Sequence, residues 1–79
     1  MRIDKFLKVS RLIKRRTVAK EACLQERITI SGKTAKAGSE VKVGDEIVIR
    51  LGNNSTTVRV LKLSESCKKE EADSMYEIV

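Results

Sequence analysis

The sequence predicts an α+β fold, in which two short helices pack on one face of a small antiparallel β-sheet. The first 25 residues carry apolar side chains at helical spacing, and residues 27–63 largely alternate polar and apolar side chains as half-buried strands do. Two helices followed by strands is the element order of an α+β domain, whereas repeated βα units would indicate a parallel sheet. A length of 79 residues provides one thin hydrophobic core, so we assign residues 1–79 to a single domain.

Residues 3–12 form the first predicted helix. At 100° per residue its inward arc collects the apolar side chains and one serine: Ile3, Phe6, Leu7, Val9, Ser10 and Ile13. The opposite arc is basic and contains Lys5, Lys8 and Arg11. After a charged break at residues 14–16, Thr17 could cap or open a second helix of about residues 17–25. The inward face of this second helix would use Val18, Ala19, Ala22 and Cys23.

Alternating side chains and turn residues define the predicted sheet. Residues 27–31 are a predicted strand, and a turn at residues 31–33 leads to a return strand at residues 34–36. Gly44 and Asp45 form a second turn. Residues 47–51 give the clearest strand, and a hairpin loop at residues 52–55 joins it to a partner strand at residues 56–63. Residues 68–76 are predicted to form one or two helical turns, and residues 76–79 an extended segment.

The net charge of +6 is distributed very unevenly along the chain. Residues 1–20 contain eight basic residues and one acidic residue, while residues 21–79 contain nine basic and ten acidic residues. The first quarter therefore carries +7 and the remainder −1, with −3 in residues 64–79 alone. Such asymmetry indicates a localised anion-binding face rather than a surface built for solubility.

The residue types argue against an enzyme. The chain has no His, so it lacks the commonest general base and the commonest metal ligand. Its glycines are isolated and do not form a phosphate-binding loop. Cys23 and Cys67 are far apart, and we expect them to be reduced thiols of a cytoplasmic protein. We find no apolar run near the ~20 residues of a membrane span and no signal peptide, and we expect no metal or cofactor.

The basic residues of the two helices and of their joint are the candidate binding residues. Arginine takes phosphate oxygens through a planar fork, and lysine supplies a point charge. Asp4 lies among them and has three possible roles: it could orient a neighbouring arginine, accept a hydrogen bond from a ribose hydroxyl, or favour the helix dipole. The candidate RNA-binding residues are Arg2, Asp4, Lys5, Lys8, Arg11, Lys14, Arg15, Arg16, Thr17 and Lys20.

Several other partners are compatible with a basic helix face. A DNA-binding helix-turn-helix reads bases from its second helix, but here the charge lies on the first helix and the joint, which favours a folded RNA. A membrane-surface helix would use Phe6, Leu7 and Ile13, which the strands need for a core. A solvated face, an adaptor for an acidic protein and an accessory domain of an enzyme remain alternatives.

Four blocks of the sequence resemble the S-four RNA-binding domain, a module built on an αL motif. They are residues 1–7, 10–19, 32–33 and 43–47, and the resemblance covers about residues 1–50. Residues 51–79 are then a sheet extension and an acidic C-terminal segment. The length and the C-terminal residues resemble the stand-alone members of ribosome-associated quality control, which are similar to the fifteen-kilodalton heat-shock protein. Many members have Ser or Thr where Arg15 stands, and Arg15 cannot cap the second helix in that way.

This resemblance implies an αL hairpin and a ribosomal partner. Stand-alone members bind the large ribosomal subunit that carries stalled peptidyl-tRNA and contact ribosomal RNA and P-site tRNA. The NEMF-family tailing factor RqcH brings alanyl-tRNA to the same subunit for C-terminal alanine tailing. The family pattern matches Arg2, Asp4, Lys5, Arg11, Arg15, Arg16 and Thr17, and charge and spacing alone add Lys8, Lys14 and Lys20. We expect a monomer that needs no cofactor.

Overall fold

The computed structural model describes residues 1–63 and 73–79 and confirms the predicted α+β class. Two helices come first, α1 (Ile3–Val9) and α2 (Arg16–Leu24). The strands follow: β1 (Ile28–Ile30), β2 (Lys33–Thr34), β3 (Glu46–Leu51), β4 (Asn54–Val60) and, after a 3-10 turn at Asp73–Met75, β5 (Tyr76–Ile78). They form one antiparallel sheet in the order β2-β1-β3-β4-β5.

Helix α1 ends at Val9, three residues before its predicted end. The backbone of Arg11 adopts a left-handed conformation with φ of 63°, and its N–H donates to the carbonyl of Lys8 at 3.0 Å. The N–H of Ile13 donates to the carbonyl of Leu7 at 3.0 Å, which closes the end of the helix. The prediction that Arg11 shares a helical arc with Lys5 and Lys8 is therefore wrong. Ile13 reaches the core as predicted, but it does so through this turn.

Helix α2 begins within one residue of the prediction, although Thr17 does not cap it. The capping position is Arg15, which is extended and makes no side-chain capping bond, so Thr17 lies in the first turn. Ala19, Ala22 and Cys23 are buried as predicted. The fourth predicted inward residue, Val18, is wrong, since its side chain is 46% exposed.

The end of α2 is a Schellman motif. Glu26 has φ of 59°, and its N–H donates to the carbonyl of Cys23 at 3.0 Å. The N–H of Arg27 donates to the carbonyl of Ala22 at 2.9 Å, so two of the last carbonyls of the helix are satisfied. The chain then enters β1 directly.

Two tight turns set the register of the sheet. Ser31 and Gly32 both have positive φ (50° and 85°), as a type I′ turn requires, and they pair Ile30 with Lys33. The return strand β2 therefore starts one residue earlier than predicted and has only two residues. Between β3 and β4, Gly52 has φ of 60° and Leu51 pairs with Asn54. The predicted loop at residues 52–55 is thus a two-residue turn, and β4 starts at Asn54.

The core lies between the two helices and one face of the sheet. The inward side chains of the strands are Ile28, Ile47, Ile49, Val58 and Val60, and the helices and loops add Ile3, Phe6, Leu7, Ile13, Ala19, Ala22, Cys23, Ala35, Val41 and Met75. On the opposite face Arg59 donates to Glu46 and to Glu77 at 3.1 Å each, which ties β4 to both neighbouring strands. The outer side of the helix pair is left to solvent.

The C-terminal residues that the structure describes close the edge of the sheet. Residues 76–78 are extended as predicted and pair with β4, with Val58 opposite Ile78 and Val60 opposite Tyr76. Of the predicted helical residues 68–76, Asp73–Met75 form a 3-10 turn and Met75 is fully buried. Residues 64–72, which include Cys67, lie outside the described residues.

Candidate nucleic-acid interface

Asp4 is a buried carboxylate at the centre of the basic face. Its residue is 1% exposed, and Oδ2 accepts hydrogen bonds from Nη2 of Arg2 and Nε of Arg16, both at 3.3 Å. Oδ1 accepts the backbone N–H of Lys5 at 2.8 Å. Of the roles that the sequence left open, the structure shows the pairing with arginines, one from each side of the helical joint. It also places Asp4 in the first turn of α1, where an acid favours the helix dipole.

The two arginines are only partly enclosed by this pairing. The side chains of Arg2 and Arg16 remain 49% and 48% exposed, so guanidinium surface that Asp4 does not cover faces solvent. A guanidinium has five N–H donors in a rigid fork, and a single bond to Asp4 occupies one of them. The cluster therefore presents two oriented cations, and its summed formal charge is positive. This is a geometry suited to two phosphate oxygens at defined positions.

The other basic candidates surround this cluster on α1, the joint and α2. Lys8 lies exposed in the last turn of α1, and Lys20 lies one turn after Arg16 on the same side of α2, since residues four apart share a helix face. Lys5 is half-buried and engaged in an interaction of its own. The remaining candidates are exposed in the joint and at the start of α2: Arg11, Lys14, Arg15 and Thr17. The structure thus places all of the predicted cations on or beside the helix pair.

A short ribbon fixes the backbone of Arg2 against the turn at residues 36–39. Arg2 and Glu40 form an isolated antiparallel bridge, the N–H of Ile3 donates to the carbonyl of Ser39 at 2.8 Å, and the N–H of Val41 donates to the carbonyl of Met1 at 2.8 Å. No sequence signal points to this contact, because its two sides are nearly forty residues apart and neither is a strand. No local pattern could have found it.

Acidic residues outside the Asp4 cluster also have partners in the described part of the chain. Glu40 pairs with the amino group of Met1 at 2.8 Å, and Glu46 and Glu77 pair with Arg59 on the far face of the sheet. Asp45 accepts the backbone N–H of Lys42 at 2.9 Å and the hydroxyl of Ser31 at 3.2 Å. Glu46 and Glu77 thus lie on the far face of the sheet, whereas Glu40 lies opposite Arg2 in the ribbon.

Cys23 is unsuited to nucleophilic chemistry. The thiol is buried in the core beneath α2, and burial, with a smaller contribution from the charge of Asp4, raises its pKa above the ordinary value. Among residues 1–63 and 73–79, no group of three His, Cys, Asp or Glu residues could hold a metal ion. No helix in the described part of the chain is long and apolar enough to cross a membrane.

Residues 1–47 match the model of the S4 domain, and this span contains every candidate residue and the ribbon that holds Arg2. The chain belongs to the S4 domain family. The resemblance stated from the four sequence blocks is thereby confirmed.

The relatives of this S4 protein are of similar length. The chain is 60% identical over 78 residues to a protein of Halalkalibacterium halodurans named RQC P-site tRNA stabilizing factor, covering 99% of this chain and 89% of the relative. It is 60% identical over 79 residues to the Bacillus subtilis protein of the same name, covering 100% and 92%. The trimeric structure of Vibrio cholerae Heat Shock Protein 15 superposes with a TM-score of 0.92 at 28% identity, covering 100% of this chain and 81% of that one.

Proposed function

We propose that this S4 protein is a non-enzymatic RNA-binding factor of ribosome-associated quality control. It binds the large ribosomal subunit that carries a stalled peptidyl-tRNA, contacts ribosomal RNA and the P-site tRNA, and supports C-terminal alanine tailing of the nascent chain. The similar relatives carry the name RQC P-site tRNA stabilizing factor, which supports the tRNA as one partner. The protein acts in the cytoplasm as a monomer, without metal or cofactor, and meets RqcH only on the shared subunit.

The observation that carries this proposal is the pair of arginines on the Asp4 carboxylate. A free arginine loses much of its rotamer freedom when it binds phosphate, which lowers the affinity that the contact provides. Here the hydrogen bonds to Asp4 restrict both guanidinium groups before RNA arrives. Two preoriented donors on rigid helices suit a partner whose phosphates have fixed positions, such as folded tRNA and ribosomal RNA.

The binding mechanism is electrostatic and geometric. Exposed cations on α1, the joint and α2 attract the phosphate backbone over a Debye length of about 10 Å at 0.1 M salt. Arg2 and Arg16 then fix the register by direct bonds to phosphate oxygens. A factor that touches ribosomal RNA and tRNA at once holds the tRNA in place by joining both contacts in one rigid body.

Alanine substitution at the two arginines tests the assigned face. R2A and R16A should each weaken binding to large subunits carrying peptidyl-tRNA by about tenfold, the effect of losing one charge-assisted bond. K62A removes the same charge from an exposed lysine outside the S4 match and is the matched control. Co-sedimentation over a salt series measures both affinity and salt slope, and each arginine variant should lower the slope by about 0.7 to 0.9. Binding of both variants at the wild-type level would show that this face does not contact the subunit.

Two comparisons separate this proposal from its alternatives. A general binder of ribosomal RNA would bind empty large subunits as well as those carrying peptidyl-tRNA, whereas the proposed factor binds the tRNA-carrying subunits more tightly. An adaptor for an acidic protein would keep its partner after RNA digestion. Addition of the protein to a reconstituted tailing reaction with RqcH and alanyl-tRNA should lengthen the alanine tails, and R16A should not.

A further inference from the structure

Gly38 differs from the other three glycines of the chain in its backbone conformation and in its neighbours. Gly32, Gly44 and Gly52 have positive φ (85°, 95° and 60°), and a Cβ added to any of them would meet no atom within 4 Å. These three glycines are therefore explained by their backbone conformation. The backbone of Gly38 is not in that region, so a side chain there is not excluded by strain. The atoms next to Gly38 are therefore of interest.

What lies next to Gly38 is the guanidinium of Arg2. A Cβ added to Gly38 would lie 3.9 Å from Nε, 3.9 Å from Nη2 and 4.0 Å from Cζ of Arg2, and these are its three nearest atoms. Such distances are ordinary van der Waals contact, so a methyl group fits, and atoms added beyond that Cβ toward Arg2 would press on the guanidinium. The guanidinium of Arg2 thus lies next to both the carboxylate of Asp4 and the backbone of Gly38.

The turn that carries Gly38 is rigidly joined to the backbone of Arg2. The N–H of Lys36 donates to Oγ of Ser39 and the N–H of Ser39 donates to the carbonyl of Lys36, both at 2.9 Å, which closes the turn. The carbonyl of Ser39 then accepts the N–H of Ile3 at 2.8 Å. Both sides of the contact between Gly38 and Arg2 are therefore held in place by hydrogen bonds rather than by the contact itself.

We propose that Gly38 is a positioning residue for RNA binding: the bare backbone of the turn at residues 36–39 forms one wall of a seat for the Arg2 guanidinium, and Asp4 forms the other. The seat directs the uncovered N–H groups of Arg2 toward a phosphate of the bound RNA. The turn lies outside the helix pair that carries the other binding residues, so it extends the functional surface to the loop between β2 and β3. This inference rests on the proposed function for its RNA partner, but the seat itself can be tested without RNA.

A pair of substitutions at one position separates the seat from general stability. G38V adds two methyl groups beyond the Cβ that would lie 3.9 Å from the guanidinium. If they displace it, binding to large subunits carrying peptidyl-tRNA should weaken by about tenfold, with a salt slope lower by about 0.7 to 0.9. G38A keeps the seat and should bind within twofold of wild type. In an R2A background, G38V should have less than a twofold effect, because Gly38 acts only through Arg2.

Two outcomes would contradict a positioning role for Gly38. A tenfold loss from G38V that persists in the R2A background would show that the turn acts by another route, and so would a G38A effect as large as that of G38V. The Nε–Hε signal of Arg2 in an NMR spectrum of the free protein tests the seat alone: G38V should shift it and G38A should not. If wild type fails to bind the subunits, the proposed function falls, while this signal still decides whether Gly38 positions Arg2.

Discussion

The substitution D4N separates the effect of net charge on RNA binding from the effect of arginine geometry. It raises the net charge from +6 to +7, so a purely electrostatic attraction to RNA would become stronger. It also replaces the carboxylate that Arg2 and Arg16 share by a neutral amide, whose single oxygen cannot accept both from the arginines and from the N–H of Lys5 as the two carboxylate oxygens do. The two effects have opposite signs, so the direction of the change in affinity identifies the larger one.

The size of the D4N effect on stability follows from the exposure of the two arginine side chains. Both arginine side chains are about half exposed, so each ion pair contributes about 0.5 to 1 kcal/mol to folding, and D4N should lower the free energy of unfolding by about 1 to 2 kcal/mol. For binding, releasing two side chains into free rotation costs about 0.5 to 1.5 kcal/mol each. One extra charge returns a few tenths of a kcal/mol at moderate salt. We expect about tenfold weaker binding.

The assay compares D4N with E21Q, which makes the same change in charge at an exposed acid on α2 that does not pair with Arg2 or Arg16. Co-sedimentation with large subunits carrying peptidyl-tRNA at fixed salt gives the affinities, and thermal unfolding shows that D4N is folded at the assay temperature. E21Q should bind as wild type does or slightly better. If D4N binds as tightly as E21Q, Asp4 does not position the arginines and the reasoning is refuted.

Three further predictions concern backbone strain and the buried thiol. E26G relieves a left-handed conformation at the end of α2 and should raise the free energy of unfolding by about 0.5 to 1 kcal/mol in chemical denaturation without altering RNA binding. R11G should stabilise the fold by a similar amount but weaken binding, since it also removes a cation; equal binding by both variants would exclude Arg11 from the interface. The Cys23 pKa is raised by burial, so the unfolded state loses its thiol proton first, and stability should be full below about pH 9 and fall above it; C23A should show a smaller loss.

The sequence predicted the elements well because their signals are local. Apolar spacing placed both helices, and alternation placed β3, where the inward residues Ile47 and Ile49 are buried as the pattern requires. The ends were less accurate for one shared reason. Arg11 and Glu26 adopt the left-handed conformation that glycine usually adopts at the end of a helix. Because neither is a glycine, no residue type in the sequence indicated where α1 and α2 end.

The residues of the proposed binding face could be identified from composition, but their geometry could not be predicted. Division of the charge at residue 20 identified the cations, and Asp4 could be recognised as the only acid among them. Its pairing with Arg16 depends on the angle at which α2 returns along α1, and the contact of Arg2 with Gly38 joins segments 36 residues apart. Contacts of this kind are set by tertiary packing, which leaves no periodic trace in the sequence.

The position of Asp4 also explains how a very basic surface can remain ordered. Nη2 of Arg2 and Nε of Arg16 each lie 3.3 Å from the same oxygen, so the two nitrogens are within about 7 Å of one another and their charges repel by about 1 kcal/mol in a half-solvated setting. The carboxylate between them offsets that repulsion and holds the two guanidinium groups at a defined distance from each other. A single acid within the most basic quarter of the chain should therefore strengthen the proposed phosphate site, because it removes one unit of attraction but holds two cations at fixed positions.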